Sequence, residues 1–153
     1  DAKILEDFCE KFGYKAVSFT SNQTVGDERL AIYHTNVMMS LGEDFAVLCD
    51  HTIDDETERK ALVDSLEATG KDVIYVSEAQ KHRFAGNMMQ VQSKTGEKFL
   101  VMSTSAHRSL DPEQIKQIEK HCQILSSSLD TIEACGGGSA RCMMAEIFLP
   151  KNA

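Results

Sequence analysis

The segment His34–Met39, which reads His-Thr-Asn-Val-Met-Met, leads through a turn around Gly42 into the apolar run Phe45–Cys49. The segment Phe84–Met89, which also ends in two methionines, leads in the same way through a turn into the apolar run Phe99–Met102. Short apolar segments that flank a glycine-containing turn are typical of a β-hairpin. We therefore expect two successive hairpins of the same design.

A third segment, Ser139–Met144, ends in the same pair of methionines. Aligning the three Met pairs gives steps of 89 − 39 = 50 and 144 − 89 = 55 residues. A nearly constant step of this size indicates a repeat architecture, in which each unit buries its sheet only against its neighbours. Most of the paired methionines are interpreted as core filling, because Met adapts readily to irregular apolar space.

A helix and a further strand complete each unit. Apolar residues at helical spacing predict helices, each followed by a strand: helices over 4–12, 62–66 and 115–122, and strands over 16–21, 72–77 and 123–128. The second helix is expected to be capped by Thr52 or Asp54, and the third by Asp111, with Gln114 completing a capping box. The predicted fold class is α/β, with a strand–strand–helix–strand unit that occurs about three times.

The composition argues against several classes of protein. The chain has 153 residues, enough for a sizeable core, and its formal net charge is −8. That acidic balance argues against nucleic-acid binding, which needs clustered Lys and Arg. No apolar run is long enough to span a membrane, and five cysteines without close pairing do not indicate a disulfide framework. We expect one domain over residues 1–153, no membrane association and a cytoplasmic location.

Cys142 is the first candidate for chemistry. It follows the run Gly136–Gly138, which lacks side chains and would let a substrate approach the main chain closely. A thiolate is a good nucleophile, although a cysteine within a strand is more often an inert core residue. The glycine run lacks the Lys-Ser/Thr ending of a phosphate-binding loop. The main-chain groups of Gly138 and Ser139 are candidates for holding a polarised intermediate.

His34 is the preferred acid–base partner, because imidazole exchanges protons near neutral pH and His34 precedes a Met pair as Cys142 does. A lone histidine at such a place is more often a structural residue, and His107, which follows a predicted strand, is the main alternative. Structural zinc ligands are typically paired two to four residues apart. Cys135 and Cys142 are seven residues apart, so a zinc site is not favoured.

The segments Tyr33–Gly42 and Gly136–Pro150 together resemble the guanidino-group-modifying superfamily, the penteins. Within it, the chain is similar to bacterial citrulline-utilisation hydrolases and related amidinotransferase-like proteins over nearly its whole length. The resemblance implies a five-fold pseudo-symmetric α/β propeller of which this chain is the carboxy-terminal part, with about three of the five units. It also implies that Cys142 attacks the carbon of a guanidino or ureido group and that His34 protonates the departing amine. No metal or organic cofactor is implied.

The expected substrate is a small guanidino or ureido amino acid. Several relatives carry an Asp two residues after the histidine, where this chain has Asn36. A neutral amide suits an uncharged ureido group, which favours citrulline-like substrates. Asn36, Asn87 and Gly138 are the expected substrate-binding residues, although an Asn beside a glycine also commonly satisfies a turn. An amidinotransferase and a non-catalytic binding or assembly domain are the alternatives.

The resemblance also implies a catalytic carboxylate about one repeat before His34, ahead of the first residue of this chain. We therefore expect the 153-residue chain to be inactive by itself. We also expect it to self-associate, because an incomplete ring of repeats leaves one unit without a neighbour.

Overall fold

Residues 2–146 are described by a computed structural model, and they form a mixed α/β fold with three small sheets. The helices are α1 (Ala2–Phe12), α2 (Glu56–Glu67), α3 (Glu78–Lys81), α4 (Thr104–Ser109), α5 (Pro112–Glu119) and α6 (Asp130–Gly136). The strands are β1 (Asn22–Val25), β2 (Glu28–Ala31), β3 (Met39–Leu41), β4 (Phe45–Leu48), β5 (Asp72–Tyr75), β6 (Met89–Gln92), β7 (Lys98–Ser103) and β8 (Gln123–Ser127). Short 3-10 helices cover Thr35–Val37, Asp50–Thr52 and Arg141–Met143.

The predicted repeat unit is confirmed twice. In the first unit, β3 and β4 form an antiparallel hairpin, α2 crosses over, and β5 returns parallel to β4. In the second unit, β6 and β7 form the hairpin, α4 and α5 make the crossover, and β8 returns parallel to β7. Both sheets therefore have the same strand order, with the second strand of the hairpin in the centre.

The hydrophobic core is formed by buried side chains from both of these units. The central strand β4 is buried along its whole length, and Met38, Met88 and Met102 are at most 1 % exposed. Met39 and Met89 are also buried, so the core interpretation is confirmed for the first two Met pairs, whereas Met143 of the third pair is 51 % exposed. Each fully buried side chain of this size stabilises the fold by about 1.5–3 kcal/mol relative to an exposed one.

Other local predictions have mixed outcomes. Helix α5 starts after Asp111, and the side chain of Gln114 accepts from the Asp111 backbone N at 2.8 Å, as expected of a capping box. The expected cap of α2 was wrong: Asp55 accepts from the backbone N of Thr57 and Glu58. The Asp55 side chain lies next to the first helical residue, whereas Thr52 is part of a preceding 3-10 helix.

The strand predicted over 16–21 was also wrong, because no described strand pairs with it. The chain forms its first hairpin just beyond, where β1 and β2 pair in a separate two-stranded sheet. Helix α1 forms as predicted, but none of its residues is buried, and Ile4, Phe8 and Phe12 are more than half exposed. Helical periodicity thus identified the helix but not the partner of its apolar face.

The third unit differs from the expected hairpin. Ser139–Met144 contains a 3-10 helix, and residues 147–150 of the quoted motif lie outside the described residues. Within residues 2–146 the sheets do not close into a barrel, so the mixed α/β class is confirmed while the five-fold propeller stays a prediction. In the same part of the chain, no helix is long and apolar enough to cross a bilayer.

Candidate functional site

Three equivalent positions of the repeat meet at one cavity. Val37, Asn87 and Cys142 each stand one residue before the Met pair of their segment. All three line a cavity of about 280 Å³. Pockets for small ligands typically start at roughly this volume. The repeat therefore brings residues 105 positions apart (142 − 37) to the same small space.

The backbone after α6 presents Cys142 to this cavity. Gly137 ends the helix with φ of 69°, a left-handed conformation that glycine adopts without strain. The 3-10 helix that follows is held by a bond from the Cys142 backbone N to Ser139 O at 3.1 Å. Ser139 is fully buried, and its hydroxyl donates to Glu133 Oε1 of α6 at 2.6 Å. Cys142 itself is an exposed free thiol at the end of this anchored turn.

Gly138 lies directly beside the sulfur. A Cβ atom at this position would stand 3.1 Å from Cys142 Sγ and 3.0 Å from its Cβ. Both distances are shorter than ordinary van der Waals contact, so a side chain at position 138 would have to displace the thiol. At Gly136, by contrast, the nearest atom to such a Cβ is an Ile132 methyl at 4.0 Å. The glycine run thus has one member whose missing side chain makes room for Cys142.

The side-chain amide of Asn87 joins the sulfur to two other segments. Its Nδ2 donates to Cys142 Sγ at 3.1 Å and to Asn36 O at 3.1 Å, and its Oδ1 accepts from the Arg141 backbone N at 3.0 Å. Asn87 is only 3 % exposed. Because both amide hydrogens have protein acceptors, the side chain holds the thiol in place and supplies a donor that a thiolate would accept.

Asn36 also approaches the sulfur, and it contacts His34. The Asn36 side-chain Nδ2 is 3.9 Å from Cys142 Sγ, a long contact, and its backbone N donates to His34 Nδ1 at 3.3 Å. His34 is the N-cap residue of the 3-10 helix Thr35–Val37 and is exposed. With Nδ1 accepting a bond, Nε2 is the ring nitrogen that is left for exchanging protons with a substrate.

His34 and Cys142 line adjoining cavities. His34 and Asn36 face a larger cavity of about 650 Å³, which Arg141 also lines, whereas Cys142 and Asn87 face the smaller one. The hydrogen bond from Asn87 to the Asn36 carbonyl joins a residue of the smaller cavity to a residue of the larger one. Within residues 2–146 no hydrogen bond joins the imidazole to the thiol. Asn36, which contacts both, is the link between them.

Two of the other histidines have structural contacts elsewhere, whereas His82 lines the same cavity as Cys142. His107, the alternative acid–base residue, lies with Nδ1 3.1 Å from Ser126 Oγ. His121 stacks on Phe45 and pairs with Asp72 at 3.0 Å. Neither lines the cavity of the thiol. Among the residues that the structure describes, no cluster of three or more His, Cys, Asp or Glu side chains could hold a metal ion.

The remaining cysteines differ from Cys142 in burial or place. Burial raises the pKa of the Cys49 thiol to about 11, and burial also raises the pKa of Cys122. Both thiols therefore stay protonated and poorly reactive near neutral pH. Cys135 is exposed on α6 and Cys9 is half-buried on α1. Neither lines the cavity that contains Asn87.

Lys81 is a residue of the site that sequence reasoning missed. It lines the same cavity as Cys142 but is only 3 % exposed, and its Nζ donates to Gln23 Oε1 at 2.6 Å. Burial is the main cause that lowers the pKa of Lys81. In the sequence, Lys81 is followed by His82 and Arg83, a cluster that is typical of an exposed surface. Only the tertiary structure reveals its burial.

Comparison with known protein families gives a match over nearly the whole chain. A family model described as N,N dimethylarginine dimethylhydrolase, eukaryotic, matches residues 1–149 of the chain. The matched range includes Cys142, His34 and the asparagines around the sulfur. Neither the curated proteins nor the solved structures include a match to this chain.

Proposed function

The chain belongs to the eukaryotic N,N dimethylarginine dimethylhydrolase family of the pentein superfamily, and on that premise we propose that it hydrolyses a guanidino or ureido group through a covalent bond to Cys142. The family membership supports a guanidino-group hydrolase. The observation that carries the finer proposal is the environment of the sulfur: an exposed thiol at a cavity, 3.1 Å from the buried amide of Asn87.

The proposed reaction has two halves. The Cys142 thiolate attacks the central carbon of the guanidino or ureido group, forming a C–S bond, and one C–N bond then breaks. The leaving amine takes a proton from His34. Water then gives a proton to His34 and attacks the same carbon, and the C–S bond breaks to return the thiolate. His34 thus serves as acid in the first half and as base in the second.

The support for His34 in this role is its position beside Asn36, since within the described residues no hydrogen bond joins it to the sulfur. It is exposed, and one long bond of 3.3 Å from the Asn36 backbone N holds its ring. Rotation of such a side chain over Asn36 is fast compared with typical turnover. We propose that the imidazole turns toward the smaller cavity when a substrate occupies it, and that Asn36 and Gly138 line the path of the reacting group.

The proposed substrate class is a guanidino or ureido amino acid, with a preference for the neutral ureido group. The support is Asn36, whose neutral amide faces the sulfur at 3.9 Å and adds no negative charge for a guanidinium. The test compares turnover of N,N-dimethylarginine, arginine and citrulline by the full-length protein and by its C142S variant. Strict preference for arginine would remove the ureido preference, and full activity of C142S would remove the covalent mechanism.

Two related outcomes separate this proposal from the alternatives. Transfer of the amidino carbon to an added amine such as glycine, in place of release to water, would make the protein an amidinotransferase. Equal iodoacetamide labelling of Cys142 and Cys135, together with no turnover, would instead favour a non-catalytic binding domain. The hydrolase proposal requires faster labelling of Cys142, because Cys142 and not Cys135 faces the Asn87 donor.

The expectation that the 153-residue chain is inactive without an upstream carboxylate is retained as a proposal. Comparison of this chain with the full-length protein under the same conditions tests it directly. Hydrolysis of any substrate in the panel by the 153-residue chain alone would show that its own residues suffice.

A further inference from the structure

The cavity beside the thiol contains a buried cation. Lys81 is 3 % exposed, and its only hydrogen-bonding partner for Nζ in the described part of the chain is the neutral side chain of Gln23. Both partners of this 2.6 Å bond line the cavity, which places the ammonium group at its wall. A buried charge that lacks an opposite charge is costly, because desolvation is not offset by ion pairing.

One acidic side chain acts on the ammonium only through space: the charge of Glu78 raises the pKa of Lys81, but by less than burial lowers it. Glu78 is one turn before Lys81 in α3, but its carboxylate pairs with Arg29 at 2.8 Å and accepts from the Thr24 backbone N at 2.6 Å. Within residues 2–146 Lys81 forms no ion pair. Two of the three ammonium hydrogens therefore have no acceptor among the described residues and are available to a ligand in the cavity.

From this geometry we infer that Lys81 binds the carboxylate of the substrate, which deepens the proposed function and rests on it. The cavity has the thiol of Cys142 and the ammonium of Lys81 among its lining groups, in about 280 Å³. A guanidino or ureido amino acid has its reacting carbon and its carboxylate at opposite ends. The thiol attacks the reacting carbon and the ammonium of Lys81 binds the carboxylate, while Gln23 orients the ammonium.

The inference makes Lys81 a specificity residue for substrates that carry a carboxylate. A charge-assisted hydrogen bond is worth about 1.5–3 kcal/mol, so its loss should weaken binding by about ten- to a hundredfold. An amine of the same length, without the carboxylate, should gain nothing from Lys81. Removing the lone buried charge should leave the fold as stable as before or more stable, because an unpaired cation is replaced by hydrocarbon.

The experiment measures binding separately from catalysis. Pentanoate, which has a carboxylate but no guanidino group, is titrated into the full-length protein while amide resonances of Lys81 and Gln23 are followed by NMR. Lys81→Met keeps the apolar stem and removes the charge, and Gln23→Glu supplies a built-in carboxylate at the ammonium. Pentylamine serves as the ligand control.

The expected result is pentanoate binding to the wild-type protein, weaker by about tenfold or more in both variants, with melting temperatures at or above the wild-type value. Unchanged affinity in Lys81→Met, or no binding to the wild-type protein, overturns the inference. Lower stability of Lys81→Met with unchanged pentanoate affinity assigns Lys81 to structure alone and also overturns it. Lys81-dependent binding without any turnover would refute the hydrolase proposal while leaving the anion site standing.

With a turned-over substrate, the kinetic constants give a second readout. Lys81→Met should raise KM for the amino acid by about tenfold or more and leave KM for the corresponding decarboxylated amine unchanged. A merely structural role would change both substrates alike. Equal changes for the two substrates would therefore count against a carboxylate contact.

Discussion

Replacement of Asn87 by Asp tests the arrangement around the sulfur most directly. Asp has nearly the same shape and keeps an oxygen that can accept from the Arg141 backbone N, now 3.0 Å from Asn87 Oδ1. It removes the donor that stands 3.1 Å from Cys142 Sγ and 3.1 Å from Asn36 O. Two favourable contacts thus become contacts between acceptors, at a side chain that is only 3 % exposed.

The magnitude follows from these contacts. Each lost hydrogen bond costs about 1 kcal/mol of folding free energy, so the two together cost about 2 kcal/mol before any repulsion is counted. For the thiolate, loss of one charge-assisted bond is worth about 1.5–3 kcal/mol. That corresponds to about a ten- to hundredfold slower alkylation of Cys142 at constant pH.

The assay is iodoacetamide labelling followed by peptide mass spectrometry, with urea denaturation to determine the folded fraction of each variant. Gln92→Glu is a matched control, because it makes the same change of amide to carboxylate on the exposed β6 hairpin, where Gln92 donates to Gly96 O. Asn87→Ala, which removes the donor without adding charge, covers the case in which the Asp variant does not fold. Wild-type labelling rates in folded Asn87→Asp and Asn87→Ala would refute the role given to this amide.

Further predictions concern the glycine run, the buried thiols, the first hairpin and the helix α1. Gly138→Ala should lower the labelling rate and the activity of Cys142 by at least about tenfold, because the added Cβ would stand 3.1 Å from Sγ. Gly136→Ala is the control and should be nearly neutral; equal effects of the two substitutions on the rates would contradict the contact. Cys49, whose pKa burial raises to about 11, should stay unlabelled in the native protein up to about pH 9 and react only after unfolding; labelling of the native protein at pH 8 would contradict its burial. Hydrogen bonds from Arg29 and Asn22 lower the pKa of Asp54. The Asp54 carboxylate therefore contributes folding stability above its unfolded-state pKa, and this contribution is lost as the pH falls through the lowered folded-state pKa. An acid-unfolding curve that Asp54→Asn leaves unchanged would show that the ion pair adds no stability. The exposed apolar face of α1 predicts self-association of the 153-residue chain, which sedimentation should detect and Phe8→Ser should weaken; a monomer at all concentrations would contradict it.

Much of the repeat unit could be predicted from local sequence. Two apolar runs around a glycine turn, a capped helix and a final strand are encoded within about fifty residues, and β3–β5 and β6–β8 follow that order. The prediction of a strand over residues 16–21 was wrong because local sequence does not show whether a strand has a partner. Residues 16–21 have the composition of a strand, but a strand needs a partner, and no described strand pairs with them.

The candidate site was only partly predictable. Cys142 was identified from the glycine run before it, and Asn36 and Asn87 were expected to bind substrate; the structure brings these three side chains together. His34 was expected to face the same cavity as the thiol, but it lines the adjoining one. A shift of one residue along an irregular segment moves a side chain to another face, and sequence spacing does not resolve such a shift outside regular helices and strands.

The sequence by itself determined the α/β class, the repeated unit and the cysteine that follows the glycine run, because these depend on short-range periodicity and turn chemistry. Only the tertiary structure decided which groups surround the sulfur. The Asn87 amide between three segments and the buried ammonium of Lys81 depend on contacts between residues more than fifty positions apart. Burial and pairing of a polar group are properties of the packed fold. The sequence alone therefore predicts that a charged side chain such as Lys81 is exposed to solvent.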